Sequence, residues 1–180
     1  MGFDTGLLLA NLLMSYFSQP GHPSSSSETL DAAEQYAIWL SGEIVKLFET
    51  FEQTFVSLWK HHHNDHLVST GYAYEGGGFD NNPQLLDSAI SKWMSELWLD
   101  TLGFAGIELI RRIVGIAHVA DLKDIPDENI RGECEKRCLS FARVLMLYSK
   151  SSTPALQSIR DVMDVARNMY YAPAPANWVN

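Results

Sequence analysis

A long run of helically spaced apolar residues, from Leu30 to Lys60, constrains the fold more than any other feature of this sequence. Large apolar side chains recur there every three or four positions, which is the spacing of one face of an α-helix. They are Ile38, Leu40, Ile44, Val45, Leu47, Phe48, Phe51, Phe55, Leu58 and Trp59. We find no segment with the alternation typical of a strand and no repeat of fixed period. The sequence therefore predicts an all-α fold.

Capping and turn residues delimit a helix at the start of the chain. Asp4 precedes an apolar run and is predicted to cap a helix that ends near Ser18, before Pro20 and Gly21. Asp4 could instead be a magnesium ligand. The capping role is preferred because it explains the position of Asp4 without a further assumption.

The other predicted helices follow from similar signals. Pro83 suits the first turn of a helix, and the glycines at 103 and 106 predict a bend or a close packing contact. Beyond them a helix is expected from Ile107 to Val119. Two more helices are predicted from Pro126 to Tyr148 and from Ala155 to Tyr170, with residues 1–171 forming one domain and residues 172–180 a loose tail.

Composition narrows the classes of partner. The 180 residues carry a net charge of −9, which argues against a nucleic-acid surface or an anionic membrane surface. The apolar stretch from Leu7 to Phe17 is too short to span a bilayer and has no basic residues before it. Cys134 and Cys138, four positions apart on one predicted helix, are poorly placed for a disulfide and are expected to be buried thiols. A cytoplasmic location is the expectation.

The segment from Ile107 to His118 holds the most informative charges. As a helix it would be apolar nearly all round, and such helices are normally buried. The remaining narrow strip carries Glu108, Arg111, Arg112, Gly115 and His118. Glu108 and Arg112 have the spacing of an ion pair, which leaves Arg111 without an assigned partner. From the residues alone, the arginines either bind a ligand anion or have a structural role.

Two other groups of residues are better explained by structure than by ligand binding. The histidines at 61, 62, 63 and 66 lie in one short stretch with no cysteine nearby, so we interpret them as a solvated loop and not as a metal site. The tryptophans at 39, 59, 93 and 98 occupy apolar helical positions. We interpret them as core residues, with an aromatic substrate platform as the alternative.

Three segments resemble the methylthioribose kinase family. Residues 1–13, followed by Ser15, Tyr16 and Phe17, resemble the part of the family directly after its metal-binding motif. Residues 110–118 are similar to the family's twin-arginine segment. Residues 133–138, with Ala142 and Arg143, are similar to its next helix. The segments lie in the family's order, and together they indicate the C-terminal part of such a kinase.

This resemblance implies a fold, a reaction and a role for two residues. The fold is the helical C-lobe portion of the protein-kinase-like fold that choline kinases and aminoglycoside phosphotransferases share. The reaction transfers the ATP γ-phosphate to the 1-hydroxyl of 5-methylthioribose, in methionine salvage, with ATP and magnesium as cofactors of the complete enzyme. Arg111 and Arg112 would bind the sugar and stabilise charge near the reacting oxygen.

The 180 residues lack the family's catalytic motifs. They contain no His-Gly-Asp loop, no Asp-x-Glu metal motif and no Gly-x-Gly-x-x-Gly. We therefore expect no catalytic, cofactor-binding or metal-binding residue in this chain, and no activity from it alone. Two alternatives are a non-catalytic helical interaction protein and a kinase-like phosphotransferase with another small acceptor, such as an amino alcohol. A homodimer is also considered, because an isolated C-lobe would expose apolar surface.

Overall fold

The computed structural model describes residues 1–22, 29–62, 83–149 and 156–172. All the regular elements in these ranges are helices. They are α1 (Gly2–Ser18), a 3-10 turn (Gln19–Gly21), α2 (Thr29–His62), α3 (Pro83–Val114), α4 (Ala120–Lys123), α5 (Glu128–Tyr148) and α6 (Ile159–Tyr171). The predicted all-α fold is confirmed for this part of the chain, and it agrees with a helical C-lobe portion. Most of the histidine-containing stretch and of the predicted tail lies outside the described residues.

The start of α1 differs from the prediction. The helix begins at Gly2 with Met1 before it, so Asp4 lies inside the first turn and does not cap it. The capping prediction was therefore wrong. The earlier start has a packing reason, because Gly2 is buried against Asp100 of α3. Asp4 is exposed in the first turn, where a negative charge interacts favourably with the helix dipole.

The packing of α1 against α3 brings the two backbones close together. A Cβ atom on Gly6 would lie 2.6 Å from Cβ of Phe104 and 2.9 Å from the carbonyl oxygen of Thr101. Only glycine fits without a shift of one helix. Beside it, the hydroxyl oxygens of Thr5 and Thr101 are 2.7 Å apart and share a hydrogen bond. Contacts of this kind fix the axial position of α3 relative to α1.

The core lies where α1, α3 and α5 meet, and α6 covers one side of it. The rings of Phe17 on α1 and Phe141 on α5 have centroids 5.5 Å apart, and both side chains are fully buried. Cys134 and Cys138 are buried and free, which confirms the prediction of unpaired core thiols. Other fully buried side chains are Leu9, Leu13, Met14, Ile44, Leu102, Leu109, Leu145 and Met163.

The α3 helix is continuous through both of its central glycines. Gly106 makes a close packing contact, since a Cβ atom there would lie 2.9 Å from the carbonyl oxygen of Ala142 on α5. The helix ends at Val114, five residues before the predicted end at Val119. The predicted burial of this segment was also wrong in part: Ile107, Ile110 and Val114 are exposed, whereas Leu109 is fully buried. One face of the segment packs on the core and the other has no cover among the described residues.

The helix boundaries on either side of the core follow their capping residues. The carboxylate of Asp127 accepts hydrogen bonds from the backbone N–H groups of Asn129 and Ile130, so α5 begins at Glu128, two residues after the predicted start at Pro126. A capping box between Ser158 and Asp161 starts α6. These caps involve only contacts within one helical turn, and α6 begins at Ile159, four residues after the predicted start at Ala155.

The four tryptophans that we predicted to be core residues have different environments. Trp98 packs against the core, and its indole N–H donates to the carbonyl oxygen of Leu156 at 2.8 Å. Trp59 and Trp93 are partly buried and form a cluster with Phe55, whose ring stacks on Trp93 at 4.8 Å. Trp39 is 56% exposed, so the core prediction was wrong for it. The prediction that Trp39 lies in a helix is confirmed, but no described element covers its side of α2.

Candidate functional site

The two arginines singled out by the sequence lie in the last turn of α3. Leu109, fully buried, holds this end of the helix against the core, and Ile113 packs partly against it. Glu108 is on the inner side as well, with only 4% of its side chain exposed. The side chain of Arg111 is 50% exposed and that of Arg112 is 28% exposed. A buried carboxylate thus lies beneath two guanidinium groups that reach the surface.

Glu108 binds both arginines. Its Oε2 accepts from Nε of Arg111 at 2.7 Å, and its Oε1 accepts from Nη2 of Arg111 at 2.7 Å. The same Oε1 accepts from Nε of Arg112, also at 2.7 Å. The pair with Arg111 is therefore bidentate, which is a strong and geometrically specific form of ion pair. The sequence predicted only the pair with Arg112, so the view that Arg111 lacked a partner is corrected.

The chain after the helix completes the support of Arg112. The carbonyl oxygen of Ala117 accepts from Nη1 of Arg112 at 3.3 Å. This contact requires the backbone to turn after Val114, and Gly115 allows it: a Cβ atom at Gly115 would overlap the carbonyl oxygen of Arg111. His118, predicted to share a helix face with the arginines, lies beyond the helix end and is exposed.

The electrostatics of this cluster follow from its contacts. The hydrogen bond from Arg111 is the largest cause of a lowered pKa of Glu108; the Arg112 hydrogen bond adds to it, whereas burial opposes it. Glu108 is therefore ionised at neutral pH. The Glu108 hydrogen bond in turn raises the pKa of Arg111. With one negative and two positive groups, the cluster carries a net charge of +1 at the C-terminal end of a helix, where positive charge is favourable.

The cluster retains donors that can reach a ligand. Among the described residues, the hydrogen bonds of Arg111 use Nε and Nη2, and those of Arg112 use Nε and Nη1. Nη1 of Arg111 and Nη2 of Arg112 are left with N–H groups for oxygen acceptors. Val114 and Ile116, 71% and 100% exposed, follow the pair in sequence and add apolar surface. These features suit a polar ligand that also has an apolar part.

A separate groove lies between α2 and α3. Its volume is about 870 Å³, and its walls include Phe48, Phe51, Met94 and Trp98. Neither arginine lines it. Two of its polar groups, the hydroxyls of Thr5 and Thr101, already bond to each other. The groove is thus distinct from the cluster at the end of α3.

The described residues do not form a magnesium site. No three His, Cys, Asp or Glu side chains converge in the ranges that the structure covers. Most of the histidine stretch, at 63 and 66, lies outside those ranges, and His61 is exposed near the end of α2. The arginine cluster offers hydrogen-bond donors, and both carboxylate oxygens of Glu108 are already bound to arginine.

No helix in the described ranges has the length and apolar character needed to cross a membrane.

Comparison with known proteins finds methylthioribose kinases of plants and bacteria. No protein-family model matches the chain. Methylthioribose kinase 1 of Oryza sativa subsp. japonica is 38% identical over 146 residues, which cover 81% of this chain and 32% of that protein. The methylthioribose kinase of Escherichia coli is 34% identical over 150 residues, covering 83% and 33%. That of Yersinia enterocolitica is 32% identical over 148 residues, covering 82% and 32%.

The chain spans about a third of the length of these curated relatives. The match covers most of the described helices at an identity above 30% with proteins of a plant and of bacteria. Over four fifths of its own length, this chain is homologous to the methylthioribose kinase family.

Proposed function

We propose that this chain supplies the sugar side of a methylthioribose kinase active site and corresponds to the C-terminal third of such an enzyme. The observation that carries the proposal is the ordered pair of guanidinium groups, Arg111 and Arg112, on the carboxylate of Glu108. The pair lies in the segment that resembles the family's twin-arginine motif. The relatives' name, methylthioribose kinase, supports methylthioribose as the acceptor.

The proposed chemistry uses the free N–H groups of the pair. Nη1 of Arg111 and Nη2 of Arg112 donate to sugar oxygens and stabilise negative charge that develops on the 1-hydroxyl as it attacks the γ-phosphate. The exposed apolar residues beside them, Val114 and Ile116, offer a surface for the methylthio group. ATP and magnesium bind to the remainder of the complete, cytoplasmic enzyme.

The 180-residue chain alone should not transfer phosphate. With ATP, magnesium and 5-methylthioribose, we expect no sugar-dependent ADP formation above background in a coupled assay. The reason is that the sequence has no His-Gly-Asp base and no Asp-x-Glu metal ligands. The full-length Escherichia coli methylthioribose kinase is the positive control. Turnover that depends on the sugar would contradict this part of the proposal.

Substitution of either arginine should weaken sugar binding. In a ligand-observed NMR titration of the chain with 5-methylthioribose, Arg111→Ala and Arg112→Ala should each lower the affinity about tenfold or more, because charge-assisted hydrogen bonds are lost. Arg167→Ala is the matched control. Arg167 is 51% exposed and pairs with Asp164 at the same i, i+3 spacing as Arg111 and Glu108. Unchanged affinity in both arginine variants would mean that the pair has only a structural role.

A second candidate is a non-catalytic helical interaction protein, either as a homodimer or with another partner. Exposed apolar residues on α1 and α3 favour it, among them Phe3, Leu8 and Ile107. The titration separates the two candidates. Specific binding of 5-methylthioribose that depends on Arg111 supports the kinase reading, whereas its absence favours the interaction protein.

A further inference from the structure

The carboxylate of Glu108 occupies the Nε-containing edge of Arg111 and the Nε–H group of Arg112. A guanidinium group binds a carboxylate or a phosphate most strongly through two adjacent N–H groups. On Arg111 the Nε and Nη2 edge is filled by Glu108, with both distances at 2.7 Å. On Arg112, Nε is bound by Glu108 and Nη1 by the carbonyl oxygen of Ala117. On neither arginine are both N–H groups of the Nε-containing edge left for another anion.

Burial makes this arrangement rigid. Glu108 is 96% buried, in the turn of α3 that Leu109 holds in the core. A carboxylate in such a place needs its cations, because an unpaired buried charge is strongly unfavourable. Glu108 therefore holds both guanidinium groups through their Nε–H groups, and among the described residues Nη1 of Arg111 and Nη2 of Arg112 make no hydrogen bond. The cluster also keeps a net charge of +1, where two arginines without an acid would carry +2.

We propose that Glu108 is a positioning and specificity residue: it directs the outer N–H groups of Arg111 and Arg112 toward a neutral sugar and weakens the binding of phosphate by the pair. The sugar half of this inference rests on the proposed function. The anion half rests on the geometry alone. This arrangement would help a kinase to release its product. The product carries a phosphate group, and two arginines whose Nε-containing edges were both free would bind that group more tightly.

The inference predicts opposite effects on two ligands. Glu108→Gln replaces one acceptor oxygen with an NH2 group that faces an arginine N–H, so one guanidinium edge is released and the net charge rises. Titration with inorganic phosphate at constant ionic strength should then show about three- to tenfold tighter binding than in the wild type. Titration with 5-methylthioribose should show about tenfold weaker binding, because the outer donors are no longer held in place.

Two measurements and one control variant accompany these titrations. Circular dichroism checks that each variant is folded. The side-chain Nε–H signals of Arg111 and Arg112, followed by NMR, should lose their slow-exchange character in Glu108→Gln, which reports positioning directly. Asp164→Asn is the matched control. Asp164 is an acid at i, i+3 from Arg167 but exposed, so its loss should leave the affinities for both ligands unchanged.

A shorter acid separates charge from geometry. Glu108→Asp keeps the net charge of the cluster but cannot reach both arginines. It should weaken sugar binding while phosphate affinity stays within about twofold of the wild type. This variant decides the question if Glu108→Gln does not fold.

Different results would contradict the role of Glu108 and the proposed function of the chain. If Glu108→Gln weakens both ligands alike, changes neither, or leaves phosphate without detectable binding, the role of Glu108 proposed here is wrong. If Glu108→Gln tightens phosphate binding but neither arginine is needed for sugar binding, the anion half of the inference stands and the proposed function fails.

Discussion

Replacing Phe17 with alanine should lower the free energy of unfolding by about 3–5 kcal/mol. The side chain of Phe17 is fully buried, and its ring packs on that of Phe141 with centroids 5.5 Å apart. Alanine would remove a contact between α1 and α5 and leave a cavity that a core of packed helices closes only in part. Urea denaturation followed by circular dichroism measures the loss.

The same substitution elsewhere on α1 provides the control. Phe3 is 52% exposed, and its ring packs edge-on against that of Phe104 on α3, with centroids 5.4 Å apart. Phe3→Ala should therefore cost about 1 kcal/mol, the value of an exposed aromatic pair. Equal losses in the two variants would mean that α1 does not pack through the face described above.

Gly6→Ala and Gly42→Ala should change stability in opposite directions. A methyl group on Gly6 would lie 2.6 Å from Cβ of Phe104 and 3.0 Å from the backbone nitrogen of Ala105, so α1 and α3 must move apart. Overpacking of this kind costs about 1–3 kcal/mol. Gly42 lies within α2 with nothing near its hypothetical Cβ, so alanine there should add about 1 kcal/mol.

The difference between these two variants tests the close approach of α1 and α3. Both replace a helical glycine with alanine, and both gain the same helix propensity. Thermal or urea unfolding of the two proteins therefore isolates the packing contribution. A Gly6→Ala protein as stable as Gly42→Ala would show that the helices are farther apart than the structure places them.

The elements of the fold could be predicted because their signals are local. The apolar spacing between Leu30 and Lys60 identified α2, and Pro126 located the start of α5 to within two residues. Burial was predicted less well. Trp39 and Val114 have apolar side chains at helical positions, but which face is covered depends on neighbours that are distant in sequence. The early start of α1 likewise results from the contact of Gly2 with Asp100.

The contacts of the arginine cluster were predicted only in part. Adjacent arginines on an otherwise apolar segment singled out Arg111 and Arg112, and their role in sugar binding stays a prediction. Only one of the two ion pairs of Glu108 was predicted. The i, i+4 spacing from Glu108 to Arg112 indicated a pair, whereas the i, i+3 spacing to Arg111 was not considered. Which N–H groups remain free depends on rotamers and on the turn at Gly115, and these are tertiary properties that spacing does not determine.

The burial of Glu108 between two cations limits how this part of the protein can diverge. A lineage that loses Glu108 first leaves two adjacent positive charges without their acid, and one that loses both arginines first leaves a carboxylate without its cations. A variant that has lost only part of the Glu108, Arg111 and Arg112 cluster should therefore be less stable or have an altered ligand preference. We therefore expect the three residues to covary in evolution, being either retained together or substituted together.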